Sequence, residues 1–137
     1  MNAIWHFVFM ILASFILFFI VIRIVLGKDE FISKRFLIIL LSVIVVIAGM
    51  LFGKFGANWG LPWWIYYPIP MLMNVLLPPV VLKMNTKKTI LYLILAILSA
   101  PFIHIFFSFF LDWNEYMPFW NIPYIKNVFW IACSTLF

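Results

Sequence analysis

The residues of this chain best suited to proton transfer are two histidines and two carboxylates. His104 lies within a long apolar stretch, His6 lies near the start of another, and Asp112 and Glu115 follow soon after His104. An ionisable side chain in hydrocarbon is costly, so its presence there is by default a hypothesis of function. In an enzyme, His104 would act as the general base, with Asp112 or Glu115 as its orienter or as a metal ligand.

Each of these residues also has a structural interpretation. His104 could be an interior histidine bonded to a neighbouring helix, and the carboxylates could mark a solvated helix end. If the helix that holds His104 continues, Asp112 lies about 80° around it and roughly 12 Å along it. An enzyme further requires His104 to hydrogen-bond a carboxylate or His6 beside an open cavity. No metal-ligand signature such as H-E-x-x-H occurs, so the sequence assigns no metal and leaves any cofactor unknown.

A second group of residues suits ligand binding rather than reaction. Its members are Asn74, Trp59, Trp63, Trp64, Tyr66 and Tyr67. The rings belong to segment 53–70, which we expect to lie as a loop in the membrane interface. There they would line a groove for an amphiphile or form an ordinary aromatic belt.

Asn74 is the polar side chain of an apolar stretch that also contains Pro78 and Pro79. Proline has no N–H, so the carbonyls of Asn74 and Val75 lose the donors they would have in a regular helix. Two interpretations follow. The freed carbonyls either face a ligand cavity, as in the broken helices of transporters, or are satisfied by a neighbouring helix.

Composition identifies the solvent in which these residues must be positioned. The chain has 137 residues, of which 68% are hydrophobic and 9% are charged. A soluble domain is usually about half apolar and about a quarter charged. The surroundings must therefore be lipid, where backbone groups are satisfied internally and the segments should be helices.

The hydropathy pattern predicts an all-α integral membrane protein built as a four-transmembrane-helix bundle in a single domain. We place the spans at about 4–26, 36–52, 69–82 and 89–111. Residues 124–137 are too few to cross, and their apolar residues recur at helical spacing, so we expect a short C-terminal interfacial helix. Gly49 and Gly53 form a small-xxx-small pattern that favours close helix packing.

Charge predicts an orientation. Seven of the nine Lys and Arg residues flank the first and third connections, whereas all seven Trp residues fall on the opposite side. By the positive-inside rule both termini lie outside, and we expect the bacterial cytoplasmic membrane. The net charge of +5 does not indicate nucleic acid, because no basic run or nucleic-acid motif is present.

Three functional classes remain open at this point. The first is an accessory or structural subunit that binds lipid, a membrane-protein partner or a second copy of itself at the outer leaflet. The second is an enzyme for a lipid or lipid-linked substrate, and the third is an oligomeric transporter or channel. The small size of the chain favours the first class, because four short spans enclose little interior.

Overall fold

A computed structural model describes residues 3–114 and 120–136, and every element in these ranges is helical. The elements are α1 (Ala3–Leu26), α2 (Lys28–Ser33), α3 (Arg35–Ser42), a π-helical segment (Val43–Ala48), α4 (Gly49–Asn58), α5 (Trp63–Tyr66), α6 (Pro68–Val81), α7 (Thr86–Leu111) and α8 (Ile125–Leu136). Four helical stretches are long and apolar enough to cross a membrane: Ile4–Leu26, Arg35–Asn58, Trp63–Val81 and Thr86–Leu111. The all-helical class and the four apolar helices are thus confirmed.

The second of these stretches is longer than the sequence pattern indicated. We expected it to end near residue 52, but the helix continues to Asn58. It ends in a Schellman motif, in which the Gly60 N–H donates to the Ala57 carbonyl and the Leu61 N–H to the Gly56 carbonyl. Gly60 has a φ of 75°, a conformation that costs glycine little. The expected aromatic loop 53–70 is therefore mostly helical, with a turn of only a few residues before α5.

α6 ends in the same motif, but a lysine and not a glycine occupies the left-handed position. The Lys83 N–H donates to the Val80 carbonyl and the Met84 N–H donates to the Pro79 carbonyl. Lys83 occupies the left-handed position with a φ of 50°. A residue with a Cβ pays roughly 1–2 kcal/mol there, whereas glycine does not. Two residues later Asn85 caps α7, because its side chain accepts the Lys88 N–H at 2.9 Å.

The chain divides into two compact units, a larger one comprising Ile11–Ile97 and a smaller one comprising Met1–Met10 with Leu98–Phe137. In the larger unit, three of the four apolar stretches contribute buried residues to one packed core, together with Leu82 just past the end of the third stretch. Its buried members are Phe18, Val21, Ile22, Val25, Leu26, Ile38, Leu41, Val45, Val46, Leu82, Tyr92 and Ala96. In lipid such a core is stabilised by close van der Waals packing, because lipid tails are as apolar as the side chains they replace.

In the smaller unit, α8 has no covering element among the described residues. Every residue of 126–136 is exposed, with Phe129, Trp130 and Leu136 among the most exposed. The hydroxyls of Ser134 and Thr135 donate to backbone carbonyls of the helix itself. Its polar side chains are thus partly satisfied from within, as suits a helix beside an apolar medium.

Candidate functional site

His104 is fully buried, and each of its ring nitrogens lies near a hydrogen-bonding group of the chain. Its Nε2 lies 2.5 Å from the Trp120 carbonyl, and its Nδ1 lies 3.4 Å from the Ser108 hydroxyl. Because a carbonyl oxygen only accepts, Nε2 carries the proton and donates it to Trp120. The Ser108 hydroxyl is also 3.2 Å from the Trp113 carbonyl, and its single hydrogen can serve only one of these two acceptors well.

These bonds hold the backbone that follows α7. His104 and Ser108 stand one turn apart on the helix and reach the carbonyls of Trp120 and Trp113, respectively. Sequence reasoning identified His104 but missed the two carbonyls, because a backbone acceptor leaves no signal in the residue types. His104 is thus an interior histidine, but its acceptor lies in a non-helical segment after α7 and not on a neighbouring helix as expected.

The chain reverses direction directly after α7. Asp112 has a φ of 59°, its N–H donates to the Ser108 carbonyl, and the Trp113 N–H donates to the Phe107 carbonyl. Trp113 consequently stacks on both Phe107 and His6, with ring centroids 5.4 Å and 3.9 Å away. Aromatic stacking of this kind contributes about 0.5–1.5 kcal/mol beyond simple burial. His6 thus lies against an indole ring.

Asp112 is not placed as a continued helix would have placed it. The expected position of Asp112 required α7 to continue past the membrane edge, but α7 ends at Leu111. The Asp112 side chain is exposed, and within the described residues it has no hydrogen bond or ion pair. Glu115 lies outside the described residues. The same described part of the chain holds no group of His, Cys, Asp and Glu able to bind a metal ion.

In the larger unit, the proline-freed carbonyl of Asn74 has a specific donor. Tyr92 of α7 is 1% exposed, and its hydroxyl lies 2.6 Å from the Asn74 carbonyl and 3.1 Å from the Asn74 Oδ1. This donor takes the place of the N–H that Pro78 lacks. Of the two interpretations given above, the contact matches a kink satisfied by a neighbouring helix. The sequence pattern favoured an interfacial role for Tyr92, because a tyrosine near the start of an apolar helix is typical of the membrane edge, and it gave no sign of the contact with Asn74.

The glycine face of α4 packs within the chain. A Cβ added at Gly49 would lie 3.3 Å from the Pro70 Cβ, and one added at Gly56 would lie 2.5 Å from the Tyr66 Cβ. Gly53 is less crowded, since its nearest neighbour, the Tyr66 carbonyl, would be 3.9 Å away. Gly49 and Gly56 are therefore covered by α5 and α6 of the same chain, which leaves little of this face for an external partner.

The aromatic residues nearest the α4–α5 turn form an exposed surface, hereafter the aromatic surface. It consists of Phe55, Trp59, Trp63 and Trp64. Phe55 stacks on Trp59 with centroids 5.9 Å apart, and Trp59 is 74% exposed. Tyr66 and Tyr67, which we grouped with these rings from the sequence, are only partly exposed. Tyr66 packs against the glycine face instead.

At the first and third connections an ionic network joins two turns of the larger unit. Glu30 accepts from Lys34 at 2.7 Å and also forms an ion pair with Lys88. Lys34 donates in addition to the Leu82 carbonyl at 2.6 Å, just past the end of α6. The hydrogen bond from Lys34, followed by that from Lys88, holds the pKa of Glu30 below its ordinary value of 4.5.

Comparison with known proteins adds no functional assignment. No family model matches the chain, and no curated protein or solved structure is detectably similar to it.

Proposed function

We propose that the chain is a small polytopic membrane protein of accessory or structural type. In this proposal the aromatic surface binds a membrane-protein partner, a second copy or lipid at the outer leaflet. The membrane is the bacterial cytoplasmic membrane, and both termini lie outside. The observation that carries the proposal is the exposure of large aromatic rings at one end of the second apolar helix. Such rings are favoured at a headgroup interface or at the centre of a protein contact.

The third apolar helix supports the same proposal. In its most apolar stretch only 6% of the residues are buried, compared with 28–33% in the other three. This stretch also begins with the two Trp residues of α5. An uncovered apolar face continuous with exposed indoles suits a binding partner or lipid better than a water-filled path.

The enzyme and transporter alternatives have less support from the contacts. His104 is sealed from solvent and its Nδ1 lone pair faces Ser108 of the same helix, whereas a general base needs a lone pair within reach of its substrate. The Tyr92 hydroxyl lies within hydrogen-bond distance of both the backbone carbonyl and the side-chain Oδ1 of Asn74, so these oxygens are poorly placed to coordinate a transported ion. The variant His104→Gln tests the enzyme alternative, and the variant Asn74→Ala tests the transporter alternative.

Site-specific photocrosslinking tests the proposal. A photoreactive phenylalanine analogue replaces Trp59, and in a second protein it replaces Phe36, which is 75% exposed and therefore matched in exposure. The two sites lie near opposite ends of one helical stretch, about 34 Å apart by helical rise. We expect irradiation of intact membranes to give a discrete protein or lipid adduct at Trp59 and a different set of products at Phe36.

Identical products at the two sites would contradict specific binding by the aromatic surface. A protein adduct whose mass equals that of a second copy would identify a homo-oligomer. An adduct of a different protein would identify an accessory role, and a lipid adduct would identify lipid as the ligand.

A further inference from the structure

The cations at the first and third connections fall into two groups, those that form an ion pair with Glu30 and those that do not. Glu30 forms ion pairs with Lys34 and Lys88. Together with the hydrogen bond from Lys34 to the Leu82 carbonyl, these pairs join the two turns. Five other cations in these turns are exposed, hereafter the basic surface: Arg23, Lys28, Arg35, Lys83 and Lys87. The seven cations and two anions of these turns give a charge of +5, which equals the formal net charge of the whole chain. The excess charge is thus confined to this surface.

Lys83 is held in an unfavourable backbone conformation. Its φ of 50° lies in the left-handed region, at the centre of a motif where glycine is the usual residue. Within the described residues its ammonium group has no ion pair that would offset this cost. A strained residue with an unpaired charge is a reason to look for a ligand of that charge.

We propose that the basic surface binds the headgroup of an anionic phospholipid, with Lys83 in contact with the phosphate. The proposal requires insertion in a membrane but is independent of the aromatic surface. Exposed apolar side chains stand beside the cations in the chain, with Ile24 next to Arg23 and Phe36 next to Arg35. A ligand that presents phosphate directly beside hydrocarbon matches both, and a nucleic acid does not.

The network around Glu30 sets the geometry of this site. Because Lys34 also donates to the Leu82 carbonyl, the turn that holds Lys83 is fixed beside the turn that holds Lys28 and Arg35. Two short basic turns are thereby combined into one surface. The ion pairs also remove Lys34 and Lys88 from competition for the headgroup, so the five exposed cations are the ones that bind it.

The test uses the full chain in a nonionic detergent, titrated with phosphatidylglycerol or phosphatidylcholine and followed by native mass spectrometry. The variants are Lys83→Gly, Lys83→Gln and Lys83→Arg, with Lys126→Gln as a control that removes the same charge from α8. Near an anionic surface each lysine contributes about a fivefold gain in affinity. We therefore expect about fivefold weaker binding of phosphatidylglycerol by the Gly and Gln variants, and near wild-type binding by the Arg and control variants.

Lys83→Gly separates binding from folding. Glycine relieves the left-handed backbone, so its unfolding temperature in lipid-free detergent should equal or exceed that of the wild type. Weaker lipid binding by a protein of equal or higher stability supports the proposal. The proposal is overturned if Lys83→Gly and Lys83→Gln bind phosphatidylglycerol like the wild type, if Lys126→Gln weakens binding equally, or if phosphatidylcholine binds as well as phosphatidylglycerol.

Discussion

Tyr92→Phe should destabilise the protein through one missing hydroxyl. The ring of phenylalanine fills the same space, so the change removes only the donor to Asn74. Tyr92 is 1% exposed, and water cannot easily replace that donor. Pro78 offers no N–H either, so the Asn74 carbonyl has no helical donor to return to.

The expected cost follows from these conditions. Leaving a buried acceptor unsatisfied costs about 1–3 kcal/mol in proteins generally. Side-chain hydrogen bonds between membrane helices average about 0.6 kcal/mol and reach about 1.7 kcal/mol. Because Pro78 removes the helical donor of this acceptor, we expect about 1–2 kcal/mol, in the upper part of the membrane range.

A double-mutant cycle tests both the cause and the size of the destabilisation by Tyr92→Phe. Pro78→Ala supplies an N–H that can bond the Asn74 carbonyl, so Tyr92→Phe should cost about 1 kcal/mol less in that background. Reversible unfolding in mixed micelles measures each free energy. Tyr66→Phe is the matched control, because within the described residues its hydroxyl makes no hydrogen bond, and its cost should stay below about 0.5 kcal/mol.

Two results would refute the reasoning. One is a Tyr92→Phe cost no larger than that of the Tyr66→Phe control. The other is an unchanged Tyr92→Phe cost in the Pro78→Ala background, which would show that the missing proline N–H has no part in the effect.

Three further predictions concern packing, pH and orientation. Gly56→Ala places a Cβ 2.5 Å from the Tyr66 Cβ and should cost about 1–3 kcal/mol of unfolding free energy, whereas Gly53→Ala should be neutral or stabilising. The folded-state pKa of Glu30 is lowered, so its stabilisation is present above pH 4.5 and is lost as pH falls through the folded value. The unfolding temperature of Glu30→Gln should therefore fall less than that of the wild type in this acidic range. The exposed thiol of Cys133 should react with an impermeant maleimide added to intact cells, if both termini lie outside.

Each of these predictions has a result that contradicts it. Equal losses for the two glycine variants would show that Tyr66 does not limit the space at α4. Parallel acid profiles for wild type and Glu30→Gln would show that the ionic network contributes no stability. Labelling of Cys133 only after permeabilisation would contradict the predicted orientation. The control is a Lys28→Cys variant on a Cys133→Ser background, which we expect to label only after permeabilisation.

The apolar helices were predictable because hydropathy and chain length act locally. A run of some twenty apolar residues must satisfy its own backbone in lipid, whatever its neighbours are. The loss of the helical donor to the Asn74 carbonyl was also predictable, because Pro78 itself has no N–H. The later end of α4 had a local signal too, because Gly60 followed by Pro62 is typical of a helix terminus.

Only the tertiary structure decided which groups meet. Tyr92 is 18 residues from Asn74, His104 is 16 residues from Trp120, and Lys88 is 58 residues from Glu30. Such contacts depend on helix rotation and spacing, which hydropathy does not encode because most faces of these helices are apolar. Burial then decided the chemistry. The ring nitrogens of His104 face groups of the chain itself, and two of the seven clustered cations are paired while five stay exposed.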